Sequence, residues 1–527
     1  MYKKEYYRKA NRKFVIDLVD KGSKVTPAAL EMCLQFGLKY DETVGRNYRD
    51  LLQRNGITHN TELEIDSILE QAKSKQFDNT KKIFLITWAQ QETEIHEDFL
   101  SNIEAYAKQI NAQILIIAGR YKNPISLAGS KQQEKLDKDK SNWHPRIAQY
   151  LIANRQNIHK HLTILADVKI QPTAVTPLTG FNGFTSLESC IIGFPSIHLT
   201  SLPVLDGYPN KLLLTTGAVT KDNYSDSKAG KRGQFNHTLG FVIAECDGDL
   251  FHVRQVQCDE QGGFYDLDKS IENKKVKKSK IKYPAIVFGD LHLTEENKQA
   301  VDISFEIAKW SGAEKIIVHD IFSGVSISHH EAKDPVIQAR REQDGSNNLE
   351  KELNYMFEWF NSRKDFDFVS IMSNHPLWLD RWISTNDWRK NINRNMYLKL
   401  ATIAVSGDAK KGIVPYLLDL NTTNVLSLGY NDSYRLAGFE LALHGDKGAG
   451  GSRGSVIQFK NLNTKTIVGH SHVPVRNLGC LSVGTLTNLR LSYNAGLSAW
   501  MHSNVLIYPN GKASHIHIIK GKYTTLL

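Results

Sequence analysis

The pattern of apolar and polar positions divides the chain into three stretches. Up to about Asn79 apolar residues recur at helical spacing. Arg12 to Val19 is basic at its start and mostly apolar after it. The run Thr26-Pro27-Ala28-Ala29-Leu30-Glu31-Met32-Cys33-Leu34 predicts a helix capped by Thr26, with Pro27 in its first position and Gly37 as its stop. A second helix is predicted from about Asp41 to Arg54, displaying Arg46, Arg49 and Arg54 and ending at Gly56. Helix, glycine turn, basic helix is the outline of a helix-turn-helix, and equally of a small bundle that docks on a neighbour.

From about Lys81 to Lys269 the period changes. Ile83 to Trp88 predicts a buried strand, Ile95 to Ile110 a helix, and Ala112 to Ala118 a second strand, together a β-α-β unit. Strands are also expected at Leu162 to Ala166 and Leu212 to Thr216. Gly240 to Glu245 and Leu250 to Val256 flank Asp247-Gly248-Asp249, a hairpin signal. No nucleotide-binding glycine fingerprint or metal-ligand cluster stands out here, so this stretch reads as an α/β domain without an assigned task. Arg120, Lys122 and the Lys228, Lys231 and Arg232 loop offer phosphate contacts or simply a solvated surface. The run Lys274 to Lys280 reads as an inter-domain connection. The expected division is a helical domain over residues 1–79, an α/β domain over 80–273 and a catalytic domain over 281–527.

In the third stretch one pattern recurs five times: an apolar strand, then metal-ligand residue types just past its end. Pro284 to Phe288 leads into Gly289-Asp290-Leu291-His292, and Lys315 to Val318 into His319-Asp320. Asp367 to Met372 leads into Ser373-Asn374-His375-Pro376. Phe439 to Leu443 leads into His444-Gly445-Asp446, and Thr466 to Val468 into Gly469-His470-Ser471-His472. Each alone is weak, because strand-then-aspartate is common. Together they deliver carboxylates, an amide and imidazoles to one rim, since loops at the carboxyl ends of strands converge. With no thiolate, such a donor set suits manganese, iron or zinc better than copper or an iron–sulfur cluster.

Composition sharpens this picture only in places. Charged residues make up 23% and hydrophobic residues 41%, which fits globular cores and excludes a disordered chain. Five scattered cysteines without a C-x-x-C fit a reducing cytoplasm rather than a disulfide framework. The N-terminus lacks an apolar leader, and no run approaches the roughly 18 apolar residues that span a bilayer. A net charge of +10 raises the odds of a polyanionic partner such as DNA.

The order D-x-H, D, N-H, H-G and G-H-x-H resembles the calcineurin-like metallophosphoesterase family from about Tyr283 to Leu527, including Leu481-Ser482-Val483-Gly484-Thr485 as a closing strand and turn. The resemblance implies a β-sandwich flanked by helices, holding two divalent metal ions. It implies Asp320 as the bridging ligand, Asp290, His292 and His472 around one ion, and Asn374, His444 and His470 around the other. It also implies His375 as a proton donor to the leaving oxygen. The chain departs from the family pattern at His319, Ser323, Ser373 and Pro376, positions that orient ligands, and Asp380 is a candidate for the missing carboxylate.

The metal site by itself does not choose a substrate. The basic balance, the helical start and the loop from Gly445 to Ser455, with Lys447 and Arg453, favour nucleic acid. His329-His330 and Arg340-Arg341 are further candidates for substrate contact. As a whole the chain resembles the pre-early DNA-degradation nucleases of tailed phages. That implies manganese-dependent hydrolysis of DNA phosphodiesters in the host cytoplasm, by a chain that self-associates in some members. A protein or small-molecule phosphoesterase, or a DNA-binding protein with an impaired metal site, are the alternatives.

Overall fold

The computed structural model describes residues 6, 8–21, 23, 25–40, 42–54, 68–120, 143–183, 185–491 and 494–526. Asp41, Gly56 and Lys122 lie outside them, as do the side chains of Arg46 and Arg54. The chain forms two compact units, one of residues 1–75 with 127–142, the other of 76–126 with 143–527.

The first unit contains α1 (Lys9–Asp20), α2 (Val25–Gln35) and α3 (Glu42–Arg54). Val15, Val19, Ala28, Ala29, Met32, Cys33, Val44, Tyr48 and Leu52 form their common core. Helix α2 begins two residues earlier than Pro27 predicts, and Gly37 takes the left-handed conformation (φ 64°) that ends it.

The second unit opens with β1 (Ile83–Gln90), α4 (Glu97–Gln109) and β2 (Gln113–Gly119). Next come β3 (Leu151–Ile152), β4 (Arg155–His159), β5 (Leu162–Leu165), β6 (Ser189–Ile192), β7 (His198–Leu202) and β8 (Lys211–Thr215). Helix α5 (Lys228–Asn236) precedes the hairpin of β9 (Gly240–Asp247) and β10 (Leu250–Gln257), which turns at Gly248 with φ 59°. Strands β11 (Phe264–Asp266), β12 (Lys269–Glu272) and β13 (Lys275–Lys278) form a small antiparallel sheet. The lysine run is therefore an edge strand and not a bare connection: Val276 pairs with Ile271 while the lysines stay in water.

The remainder begins with β14 (Ala285–Val287), α6 (Lys298–Ser311) and β15 (Lys315–Val318). Helices α7 (Pro335–Asp344) and α8 (Leu349–Asn361) lead to β16 (Phe368–Ser370), followed by α9 (Asn374–Thr385), α10 (Arg394–Ser406) and α11 (Ile413–Asn421). The chain closes with β17 (Val425–Ser427), β18 (Arg435–Leu436), β19 (Phe439–Glu440), β20 (Lys465–Val468), β21 (Val475–Asn477), β22 (Cys480–Ser482), β23 (Ser503–Ile507) and β24 (Ala513–His517).

This mixed α/β unit is layered. One sheet has the order β17-β16-β15-β14-β23-β24, with β14 to β17 parallel. Alternate residues of its strands point to opposite faces. Ile286, Ile316, Val318 and Phe368 pack under α6, α8, α9 and α11, while Ala285, Val287, Ile317 and Val369 meet Phe439, Leu441, Ile467 and Leu481 of a second sheet. That second sheet has ten strands, β18-β19-β20-β22-β21-β7-β8-β6-β5-β4, and so runs across the boundary expected near residue 280. Its other half packs Leu162, Ile164, Ile191 and Leu214 against Phe84, Ile86, Leu115 and Val242 of a five-stranded sheet, β10-β9-β1-β2-β3.

Candidate metal centre

Asp290 follows β14, Asp320 follows β15, and Asn374 follows β16 as the first residue of α9. Because these strands are parallel neighbours, the three residues share one rim. His444 follows β19, and His470 and His472 follow β20, which is parallel to β19 in the facing sheet. The two layers can close only over a residue without a side chain: a Cβ on Gly469 would sit 2.2 Å from Asp290 Oδ1. Four of the candidate ligands stand in left-handed backbone, His292 (φ 44°), Asp320 (φ 46°), His470 (φ 71°) and His472 (φ 57°). Such strain costs about 1–3 kcal/mol per residue and concentrates at functional sites.

Ligand atoms of Asp290, His292, Asp320 and His472 all lie within 4.8 Å of one another, and all four residues are buried. His292 Nε2 is 3.0 Å from His472 Nε2 and 3.4 Å from Asp320 Oδ2. His472 Nε2 is 3.1 Å from Asp290 Oδ2. On the other side of Asp320, His444 Nε2 is 3.1 Å from the same Oδ2. His470 Nδ1 meets Asn374 Oδ1 at 3.2 Å, and its backbone N–H donates to Asp290 Oδ2 at 2.7 Å.

Burial opposes charge on Asp320, yet the surrounding imidazoles of His444, His375 and His292 hold it well below the usual carboxylate range. Asp290 is likewise disfavoured by burial and brought down by His472. Burial and the neighbouring His375 keep His292 neutral, the form that donates a lone pair. At His444 burial lowers basicity, but Asp320 and then Asp290 push it up to about 9. That proton must leave before the ring can ligate a cation. Asp290 Oδ1 and Asp320 Oδ1 are buried without a hydrogen-bond partner. Two ionised carboxylates with orphaned oxygens, facing ring nitrogens, are an expensive arrangement that a cation relieves. This buried group could hold a metal ion.

Two of the positions that depart from the resembled pattern, Ser323 and His319, lie against the candidate histidines. His375 Nδ1 lies 2.7 Å from the backbone carbonyl of Ser323, so a main-chain oxygen orients the ring where a carboxylate was expected. Burial lowers the basicity of His375, against Asp320 and that carbonyl, which raise it. His319 Nδ1 stands 3.4 Å from His444 Nδ1 and steadies the ring whose Nε2 meets Asp320. Asp380 makes a different contact. Its Oδ1 accepts the N–H of Ile413 at 3.1 Å and so caps α11.

Around the rim, the His375 ring lies 3.9 Å from Trp378, with His329 and His330 against the same indole at 5.1 and 5.5 Å. Lys447 and Arg453 are exposed in the loop after His444, and Lys447 Nζ sits 3.3 Å over the ring of Tyr430. Arg381, which sequence reasoning missed, is exposed on α9 one turn beyond Trp378, and its charge is felt at His329 and Tyr430. Arg341 is committed elsewhere, to Glu331 and the carbonyl of Val325, whereas Arg340 is exposed. Arg120 donates to the Asp167 carbonyl at 2.9 Å, Lys231 pairs with Asp226 at 2.8 Å, and Arg232 reaches the Thr173 carbonyl at 3.4 Å. Among the described residues no helix is long and apolar enough to cross a membrane, and the cysteines are free.

What fold and site define together is a mixed α/β protein with a buried aspartate–histidine group able to hold a metal ion. Over 489 residues the chain is 29% identical to Protein A1 of Escherichia phage T5, a match that covers 87% of this chain and 85% of that protein. No family model and no solved structure matches the chain.

Proposed function

We propose that the chain is a two-metal nuclease that hydrolyses DNA phosphodiester bonds, with a calcineurin-like metallophosphoesterase sandwich in residues 281–527. The observation that carries this is the convergence of Asp290, His292, Asp320 and His472 within 4.8 Å, with His444 on the far side of Asp320. Asp290, His292, Asp320 and His472 would hold one ion; Asp320, Asn374, His444 and His470 would hold the other. The oxygen and imidazole donors favour manganese. When bound, such ions supply Lewis-acid polarisation of the phosphodiester and lower the pKa of the attacking water.

The side chains then divide the labour. His375, fixed through its Nδ1–H, presents Nε2 to the departing oxygen and gives it a proton from the imidazolium form, which nearby Asp320 favours. Lys447, Arg453 and Arg381 are exposed cations for the flanking phosphates, and the +10 net charge draws a polyanion from a distance. The relative comes from a phage, and the reading therefore takes host DNA in the host cytoplasm as the substrate.

The test is cleavage of linear and closed circular DNA by the full chain with manganese. Wild type should cut, and nicking of the circle would identify an endonuclease. His375→Ala should cut roughly 10²–10⁴-fold more slowly while binding manganese as before. Intact single- and double-stranded DNA beside rapid p-nitrophenyl phosphate turnover would replace this reading with a phosphomonoesterase. Salt-sensitive DNA binding without cleavage would replace it with a binding protein.

A further inference from the structure

The five- and six-stranded sheets have one order in common. In β10-β9-β1-β2-β3 and in β24-β23-β14-β15-β16, a central strand pairs in parallel with the strand beyond the next helix. On its other side each central strand pairs antiparallel with the first strand of a closing hairpin. Each central strand is paired on both sides: Phe84 with Gln113 and Ala244, and Ala285 with Lys315 and Ile507. The ten-stranded sheet reads β4-β5-β6-β8-β7 from one edge and β18-β19-β20-β22-β21 from the other, with the same sequence of antiparallel and parallel pairings.

Connections outside the strands repeat as well. Val219 N–H donates to the Trp88 carbonyl at 2.9 Å, and Leu486 N–H to that of Asp290 at 2.8 Å. His96 N–H donates to the Val219 carbonyl and Asn297 N–H to that of Leu486, and both donors are helix N-caps. Where the series meet, Leu199 pairs with Arg476 and Thr200 with Val475. Leu199 and Val475 each lie six residues after an equivalent glycine, Gly193 or Gly469, so exchanging the two series maps this pairing onto itself. Over their described residues, 83–257 and 285–517 thus share one strand order, and the pairing that joins them is symmetric.

The copies differ at their centres. By the carbonyl pairing above, Trp88 stands where Asp290 stands. A Cβ on Gly193 would lie 2.6 Å from Trp88 Cδ1, and one on Gly119 would lie 2.4 Å from its Cζ2. The indole thus fills the room between the layers that carboxylates and imidazoles share in the second copy. Phe194 follows Gly193 where His470 follows Gly469, and Trp88, 4% exposed, packs with Ile117, Ile191 and Leu214.

We propose that the first copy is a centre plugged by Trp88, which holds no metal and serves as a permanent, built-in partner of the second copy through the β7–β21 junction. The metal part of this inference rests on the reading of the second copy given above. In the full chain, bound manganese is counted for wild type, Asp290→Ala/Asp320→Ala and Trp88→Ala, and each is melted in chelator. Wild type is expected to bind manganese and the double variant none. Trp88→Ala is expected to keep the wild-type metal count but melt roughly 5–15 °C lower, with Trp88→Phe recovering most of the loss. Manganese retained by the double variant, or a Trp88→Ala chain melting at the wild-type temperature, overturns the plug. Wild type without metal would instead overturn the nuclease reading, while the melting of Trp88→Ala still decides the plug.

Discussion

Asp320→Ala is expected to fold and to lose both manganese uptake and DNA cleavage, the latter by at least about a thousandfold, equivalent to roughly 4 kcal/mol of transition-state stabilisation. The size follows from its place. One oxygen of Asp320 lies within reach of His292 on one side and His444 on the other, so its removal opens both halves of the donor set together. Thermal melting separates this from misfolding. A ligand at a hundred times its Kd stabilises a native state by about 2.7 kcal/mol, so wild type should melt higher with manganese than with chelator. Asp320→Ala should melt at one temperature in both. A variant that keeps the manganese-dependent rise would show that the cation binds elsewhere.

The second large effect belongs to Arg254, far from any chemistry. Its guanidinium is 1% exposed and forks onto Asp266 through Nε at 2.9 Å and Nη2 at 3.0 Å. Nη1 lies 2.5 Å from Glu245, and both carboxylates are fully buried. Tyr106 donates to Asp266 at 2.7 Å, and Thr524 donates to Glu245 at 3.0 Å. Arg254→Ala should cost about 3–5 kcal/mol in chemical denaturation, because two buried charges lose their partner. The pH dependence should weaken. In wild type, burial raises the pKa of Glu245, but Arg254 and the hydrogen bonds from Thr525 outweigh it and leave the pKa lowered. The resulting stability is present above the ordinary glutamate range and is lost as pH falls through the folded value. Without Arg254, only the hydrogen bonds from Thr524 and Thr525 still oppose burial, so the variant's deficit should shrink towards acid. A deficit that stays constant from pH 7 to pH 4.5 would refute this account.

Much of the second copy was legible because its signals are local. The five strand ends carry their donors within a few residues, and the strand at Lys315 to Val318 lies where the pattern puts it. The same locality explains what was missed. Strand β7 reads His-Leu-Thr-Ser-Leu, with polar residues that the register alone turns inward, and its pairing with β21 spans some 275 positions. A main-chain carbonyl orients His375, and no side chain announces it. The first copy escaped notice because Trp88 and Phe194 occupy the positions where donors would have advertised the fold. Hydrophobic substitutes preserve packing and erase the motif.

The shared ten-stranded sheet also limits how far the chain can be trimmed. Cutting near residue 280, to keep the part that carries the presumed chemistry, would strip β7 from β21 and bare the N–H and C=O groups of an apolar-backed strand. Open edges of that kind recruit one another. A fragment made this way should clump during purification, and a soluble, monomeric 281–527 fragment would contradict that. On that expectation, the first copy acts as the cover of an edge that the second cannot leave bare.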